Sequence, residues 1–182
     1  MQIPTLAKII EVTHKALSAR IDEHDLKAWT AHVARKLASL CPVGCLPYGH
    51  LFREDDRREY LCDQVWGIER PDDWEHYEGL AFAMECEWDG GVDAFLEDFV
   101  KVLDVAAERR LFIGNLHTKT AWPDRQTTVL ETVRQIAKGH RFFGEADEVA
   151  VFLCEKGGDG DVECWLVRGN GDKPVLVPDK RA

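Results

Sequence analysis

Glu59-Tyr60-Leu61-Cys62-Asp63-Gln64-Val65-Trp66 and Gly79-Leu80-Ala81-Phe82-Ala83-Met84-Glu85-Cys86-Glu87-Trp88 are the two segments around which the chain is organised. Both are apolar enough for buried strands, yet they carry the acids Asp63, Glu85 and Glu87. Successive side chains of an extended chain point to opposite faces. Leu80, Phe82, Met84, Cys86 and Trp88 therefore share one face, and Ala81, Ala83, Glu85 and Glu87 share the other. The two glutamates then aim the same way, about 7 Å apart on the usual strand rise, and the small alanines leave room for a helix or ligand. In the first stretch Leu61, Asp63 and Val65 share a face, so antiparallel pairing of the two stretches brings Asp63 towards Glu85 and Glu87. Ionised carboxylates in an apolar setting are costly unless neutralised. Hard oxygen ligands converging at strand ends suit Mg²⁺ or Mn²⁺.

Working outward, Asp89-Gly90-Gly91 permits a sharp reversal. The spacing of Phe95, Leu96, Phe99, Val102, Leu103 and Ala106 then predicts a helix over Val92 to Arg109. Its polar side holds Glu97, Lys101, Asp104 and Glu108. A strand over Leu111 to Asn115 follows, and strand, helix, strand in succession predicts a parallel crossover. Upstream, helical spacing predicts helices from about Thr5 to Ala19 and from Leu26 to Leu40, the second stopped by Pro42. Cys41 to Arg58 reads as a turn-rich loop and Ile68 to Glu78 as a connection too long for a tight turn. Downstream, Thr118 to Arg125 reads as a loop containing Trp122 and Pro123, and Thr127 to Ala137 as a helix stopped by Gly139. Glu148 to Cys154 and Val162 to Val167 read as strands of a hairpin turning at Gly157 to Gly160, with Val175 to Val177 a short added edge. The expected architecture is α/β (α+β), a mixed central β-sheet flanked by helices in one domain spanning residues 1–182. N-terminal helices occupy 1–41, the core motif 59–117 and the C-terminal strands 148–177.

Composition narrows the function classes. Apolar residues make up 45% and charged residues 31%, as in ordinary globular proteins. Apolar runs fall short of a membrane span and Met1 to Ile10 lacks the pattern of a signal peptide, so a cytoplasmic protein with no membrane partner is expected. With 23 basic and 33 acidic residues the net charge is −10, which gives no global attraction to nucleic acid. Binding of that kind needs a local patch, for which Arg109, Arg110, Lys119, Arg125, Arg134, Lys138, His140 and Arg141 are the candidates. Cys41 and Cys45 have zinc-like spacing, but with only His50 nearby the set is short of ligands. Cys62, Cys86, Cys154 and Cys164 read as small buried hydrophobes.

An acid on one strand, a second strand ending in two acids one residue apart, then an amphipathic helix and another strand: this order resembles the PD-(D/E)XK nuclease-like (restriction-endonuclease-like) superfamily. The resemblance covers about Glu59 to Leu116. It matches Asp63 to the first acid, Glu85 to the second and Glu87 to the place of the lysine. It implies an αβββαβ core that binds one or two magnesium ions and hydrolyses phosphodiester bonds, with Asp63, Glu85 and Glu87 as metal residues. Glu87 cannot supply the lysine's positive charge and is left as a further ligand or a base. Lys101 on the next helix is the nearest substitute, with His117 and Lys119 as rivals. The helical wheel, however, sets Lys101 beside Glu97, at i, i+4, on the solvated side.

The catalytic candidates are thus Asp63, Glu85, Glu87 and Lys101, with Mg²⁺ or Mn²⁺ as cofactor and nucleic acid as partner, DNA ahead of RNA. Two other functions stay open. A nuclease-like fold without catalysis would serve as a protein-binding or regulatory subunit, as a homodimer or with another protein, through an exposed patch containing Trp74, Trp88 or Trp122. An unrelated α+β binding module would instead pair the acids with bases such as Arg109 or Arg110.

Overall fold

The computed structural model describes residues 1–18, 26–49, 62–70, 73–88, 91–115, 122–154 and 162–179. In chain order the elements are α1 (Leu6–Leu17), α2 (Leu26–Ala38), β1 (Cys45–Tyr48), β2 (Gln64–Arg70), β3 (Asp73–Glu87), α3 (Val92–Asp104), β4 (Arg110–Asn115), α4 (Trp122–Gly139), β5 (Glu148–Cys154), β6 (Val162–Arg168) and β7 (Val175–Val177). All seven strands form one mixed sheet in sequence order. β1, β2 and β3 are antiparallel neighbours, β3, β4 and β5 run parallel, and β6 and β7 return antiparallel.

Two apolar layers sandwich the sheet. On one face Phe95, Phe99, Val102 and Leu103 of α3 and Val129, Leu130, Val133 and Ala137 of α4 pack on Ala83, Phe112, Val149, Val151 and Leu153. On the other, Ile9, Ile10 and Leu17 of α1 and Val33, Ala34 and Leu37 of α2 pack on Trp66, Phe82, Met84, Leu111, Ile113 and Phe152. Each fully buried side chain of this size contributes about 1.5–3 kcal/mol. β4 is covered on both faces and buried at all six positions: the apolar run Leu111 to Ile113 fits that cover, and the polar ends Arg110 and Asn115 are buried with it. β3 to β4 and β4 to β5 each step one place in the same direction, so their crossover helices α3 and α4 fall on the same face. Phe95 reaches β4 because Gly114 carries no side chain: a Cβ there would run into the Phe95 ring.

The mixed sheet and the helices agree with the sequence reading, and the differences have local causes. The expected loop over Cys41 to Arg58 contains β1, short and on the sheet edge; Arg53 to Arg58 and His50 lie outside the described residues. In the first stretch the strand starts at Gln64, after Cys62 and Asp63, while Glu59 to Leu61 lie outside the described residues; most of the connection expected over Ile68 to Glu78 is strand, with residues 71–72 outside the described residues. β2 runs to Arg70 and β3 begins at Asp73, because ladder pairing carries Glu69 onto Tyr77 and Arg70 onto Asp73. Strict alternation fails at Ala81: Trp66 pairs with Phe82 and Gly67 with Leu80, so Ala81 is the extra residue of a bulge and packs with Phe82 on the α1–α2 side. α3 stops at Asp104 and leaves Ala106 exposed, because the chain turns extended at Val105. Backbone N–H groups of Glu108 and Arg109 then bond Leu80 and Ala81 carbonyls, and sheet pairing replaces the last helical turn. α4 begins at Trp122, inside the expected loop, while residues 116–121 and 155–161 lie outside the described residues, the expected Gly157 to Gly160 turn among them.

Candidate functional site

The two stretches meet as antiparallel neighbours, Gln64 opposite Met84 and Val65 opposite Ala83, which sets Asp63 beside Glu85. Asp63 lies just before β2 rather than inside a strand, so its backbone is available to a side chain. Its N–H donates to Glu85 Oε2 at 2.7 Å, and the Cys86 N–H donates to Asp63 Oδ2 at 2.9 Å. The paired bonds lock the two acids together at the carboxyl end of β3.

Glu85 is 7% exposed and faces the α3 side with Ala83. Burial and then the charge of Asp63 push its carboxyl from 4.5 up to about 8; Asp98 adds to the rise, while the Asp63 N–H bond and Lys101 oppose it. Lys101 Nζ lies 3.7 Å from Glu85 Oε1, an ion pair longer than a hydrogen bond. The same ammonium donates to Asp98 Oδ1. That bond, foremost, raises the lysine above its ordinary value, with burial opposing it and the Glu85 and Asp63 charges assisting. Beside them Cys62 is buried, and desolvation together with the Glu85 and Asp63 charges pushes its thiol far up, so it is no thiolate nucleophile.

The structure thus brings together three of the four expected residues, Asp63, Glu85 and Lys101. Glu87, the last residue of β3, is half-buried opposite Gly114. Among the described residues no three His, Cys, Asp or Glu side chains gather closely enough to hold an ion unaided. Lys101 keeps its access to water, its side chain being 41% exposed, but its partners are Asp98 and Glu85 rather than Glu97. A wheel gives the direction of Cβ, whereas a lysine stem carries its head round the helix. Asp98 was not foreseen. Its signal was available, since it borders the apolar stripe three residues after Phe95, where an acid needs a partner, and three before Lys101.

The alternative pairing of the acids with Arg109 or Arg110 is not what the geometry shows for Glu85. Arg110 is buried, donates to the Val105 carbonyl at 3.0 Å and lies 3.8 Å from Asp147; Arg109 donates to the Glu108 carbonyl. Of the basic set, Arg134 pairs with Glu131 and His140 with Asp104, while Lys119 and the side chain of Arg125 lie outside the described residues. His117 lies outside them as well, as do the side chains of Trp74 and Trp122. Trp88 is half-buried and donates to Thr30 Oγ1 at 2.7 Å. Among the described residues no helix is long and apolar enough to cross a membrane.

No protein-family model, curated protein or solved structure matches the chain.

Proposed function

We propose that this chain hydrolyses phosphodiester bonds of nucleic acid with Mg²⁺ or Mn²⁺, on a restriction-endonuclease-like core formed by β1–β3, α3 and β4. The observation that carries the reading is Lys101 Nζ at 3.7 Å from the buried Glu85 Oε1. It puts a cation beside the paired acids although the strand position two residues after Glu85 is Glu87.

The donor set fits a divalent ion. Mg²⁺ commonly binds through one or two carboxylates and keeps several waters, and Asp63 with Glu85 is such a pair. Glu85 is buried, has the Lys101 ammonium no nearer than 3.7 Å and is pushed from 4.5 up to about 8, a state that a closer cation relieves. Asp63 and Glu85 would hold the ion. When bound, the ion supplies Lewis-acid polarisation of the phosphoryl oxygen and a water of lowered pKa. The chain's own residues supply placement and charge. The bonds between Asp63, Glu85 and Cys86 fix the carboxylates before substrate arrives, and the Lys101 ammonium beside Glu85 would offset the negative charge that grows on phosphoryl oxygens bound there.

The reading without catalysis draws on the acidic balance, a net charge of −10, and on the missing lysine; Lys101 beside Glu85 answers the second of these. The test is incubation of plasmid DNA, single-stranded DNA and RNA with the purified chain in Mg²⁺, Mn²⁺ or EDTA. Metal-dependent cleavage, lost in Asp63→Ala and Glu85→Ala, is expected. Intact substrates under every metal, together with a melting temperature unmoved by metal, reject the proposal.

A further inference from the structure

We propose that Asp98 is a positioning residue: its carboxylate anchors the Lys101 ammonium against Glu85 and so fixes where the site's positive charge stands. The proposal rests on reading Asp63, Glu85 and Lys101 as a hydrolytic site.

Lys101 leaves α3 on its polar side, and its side chain is 41% exposed. A lysine stem with four rotatable bonds and that much access to water does not hold its head over a buried carboxylate unaided. Glu85 is a weak tether, because 3.7 Å is beyond hydrogen-bond length. Asp98 is the tether. It stands one turn earlier on the same helix, accepts a hydrogen bond from Nζ, and its side chain is only 14% exposed. That burial separates it from an ordinary surface pair such as Lys15 with Glu11, whose side chains are 57% and 42% exposed. A helix-stabilising pair has no need of a buried acid near another carboxylate, and Asp98 does act unfavourably on Glu85. It is tolerable because the ammonium stands with both. One donor of Nζ is spent on Asp98, which leaves two of its three for a substrate oxygen or water.

Two readouts on the full-length chain separate anchoring from a merely structural role. The first is reductive dimethylation of the metal-free protein, read by mass spectrometry as the rate at Lys101 relative to Lys15. Asp98→Asn is expected to raise this ratio about threefold or more, because Nζ loses the charged acceptor that holds it, and Asp98→Glu to return it towards wild type. The second is cleavage of plasmid DNA with Mn²⁺. Asp98→Asn is expected to lower kcat roughly ten- to a hundredfold, the cost of a misplaced group, with KM within about twofold. In a Lys101→Met background the same change should add nothing, because no ammonium is left to place. If Asp98→Asn does not fold, Asp98→Ser gives the same readouts. An unchanged Lys101 ratio overturns the proposal, as does a full further loss of kcat in the Lys101→Met background. A wild-type chain that cleaves nothing, with Lys101 still released by Asp98→Asn, rejects the hydrolytic reading while the anchoring role stands.

Discussion

The backbone N–H of Asp63 donates to the carboxylate of Glu85 at 2.7 Å across the β2–β3 ladder, and the neighbouring Cys86 N–H donates to Asp63 at 2.9 Å. Two acids that repel one another are held in contact by backbone donors. The repulsion they retain makes their environment sensitive to protons and cations.

The first consequence is a pH dependence of stability. Glu85 is raised from 4.5 to about 8, so the folded chain keeps a proton that the unfolded chain releases. The contribution of the neutral carboxyl is complete below about 4.5 and is lost as pH rises through about 8, with a slope approaching ~1.4 kcal/mol per pH unit. For a chain of this size that is about 3–5 °C in Tm per unit. Thermal melts in EDTA at pH 5, 6.5 and 8 should show wild type declining against Glu85→Gln. Parallel curves for the two proteins would contradict the assignment.

Metal should act in the opposite sense. Binding requires ionised ligands, so Mn²⁺ at about ten times its dissociation constant should stabilise the chain by ~1.4 kcal/mol at pH 8, about 3–5 °C, and less at pH 5.5. Asp63→Asn keeps an acceptor for the Cys86 N–H but loses the charge, so it should melt without the metal increment. An equal increment in wild type and Asp63→Asn would place the ion elsewhere.

Gly114 links the core to the site. A methyl there would strike the Phe95 ring, which seats α3 on β4, and α3 carries Lys101. Gly114→Ala is expected to destabilise by about 1–3 kcal/mol, the range for overpacking, and to lower cleavage by shifting α3. Denaturant melts and cleavage rates on the same preparation measure both, and wild-type values in each would refute the link.

Lys101→Met should reduce cleavage by roughly two orders of magnitude, the usual loss for a charge-stabilising donor. Adding Glu87→Lys to that variant returns an ammonium two residues after Glu85, and part of the rate should return with it. Full activity of Lys101→Met alone would remove lysine from the mechanism.

Much of the fold was legible in the chain. The helical stripe of Phe95, Phe99, Val102 and Leu103 follows directly from side-chain period, and β4 from the short apolar run Leu111 to Ile113. The bulge at Ala81 was not legible, because alternation assumes a register that only the partner strand fixes. Nor was the polar start of β3, which pairs with β2 despite its acids. Within the site, Asp63 and Glu85 were found by the cost of burying acids. The contact of Lys101 with Glu85, and Asp98 with it, depends on where a long side chain ends, which position along a helix does not specify.

In the proposed site Asp63 and Glu85 share a seat for a divalent cation beside Lys101. An anomalous difference map from crystals soaked in Mn²⁺ tests it most directly. A peak is expected at bonding distance, about 2.1 Å as for Mg²⁺, from carboxylate oxygens of both acids, with its loss in Asp63→Asn. A soaked crystal with no peak between those two carboxylates, or with manganese bound only elsewhere on the chain, would contradict it.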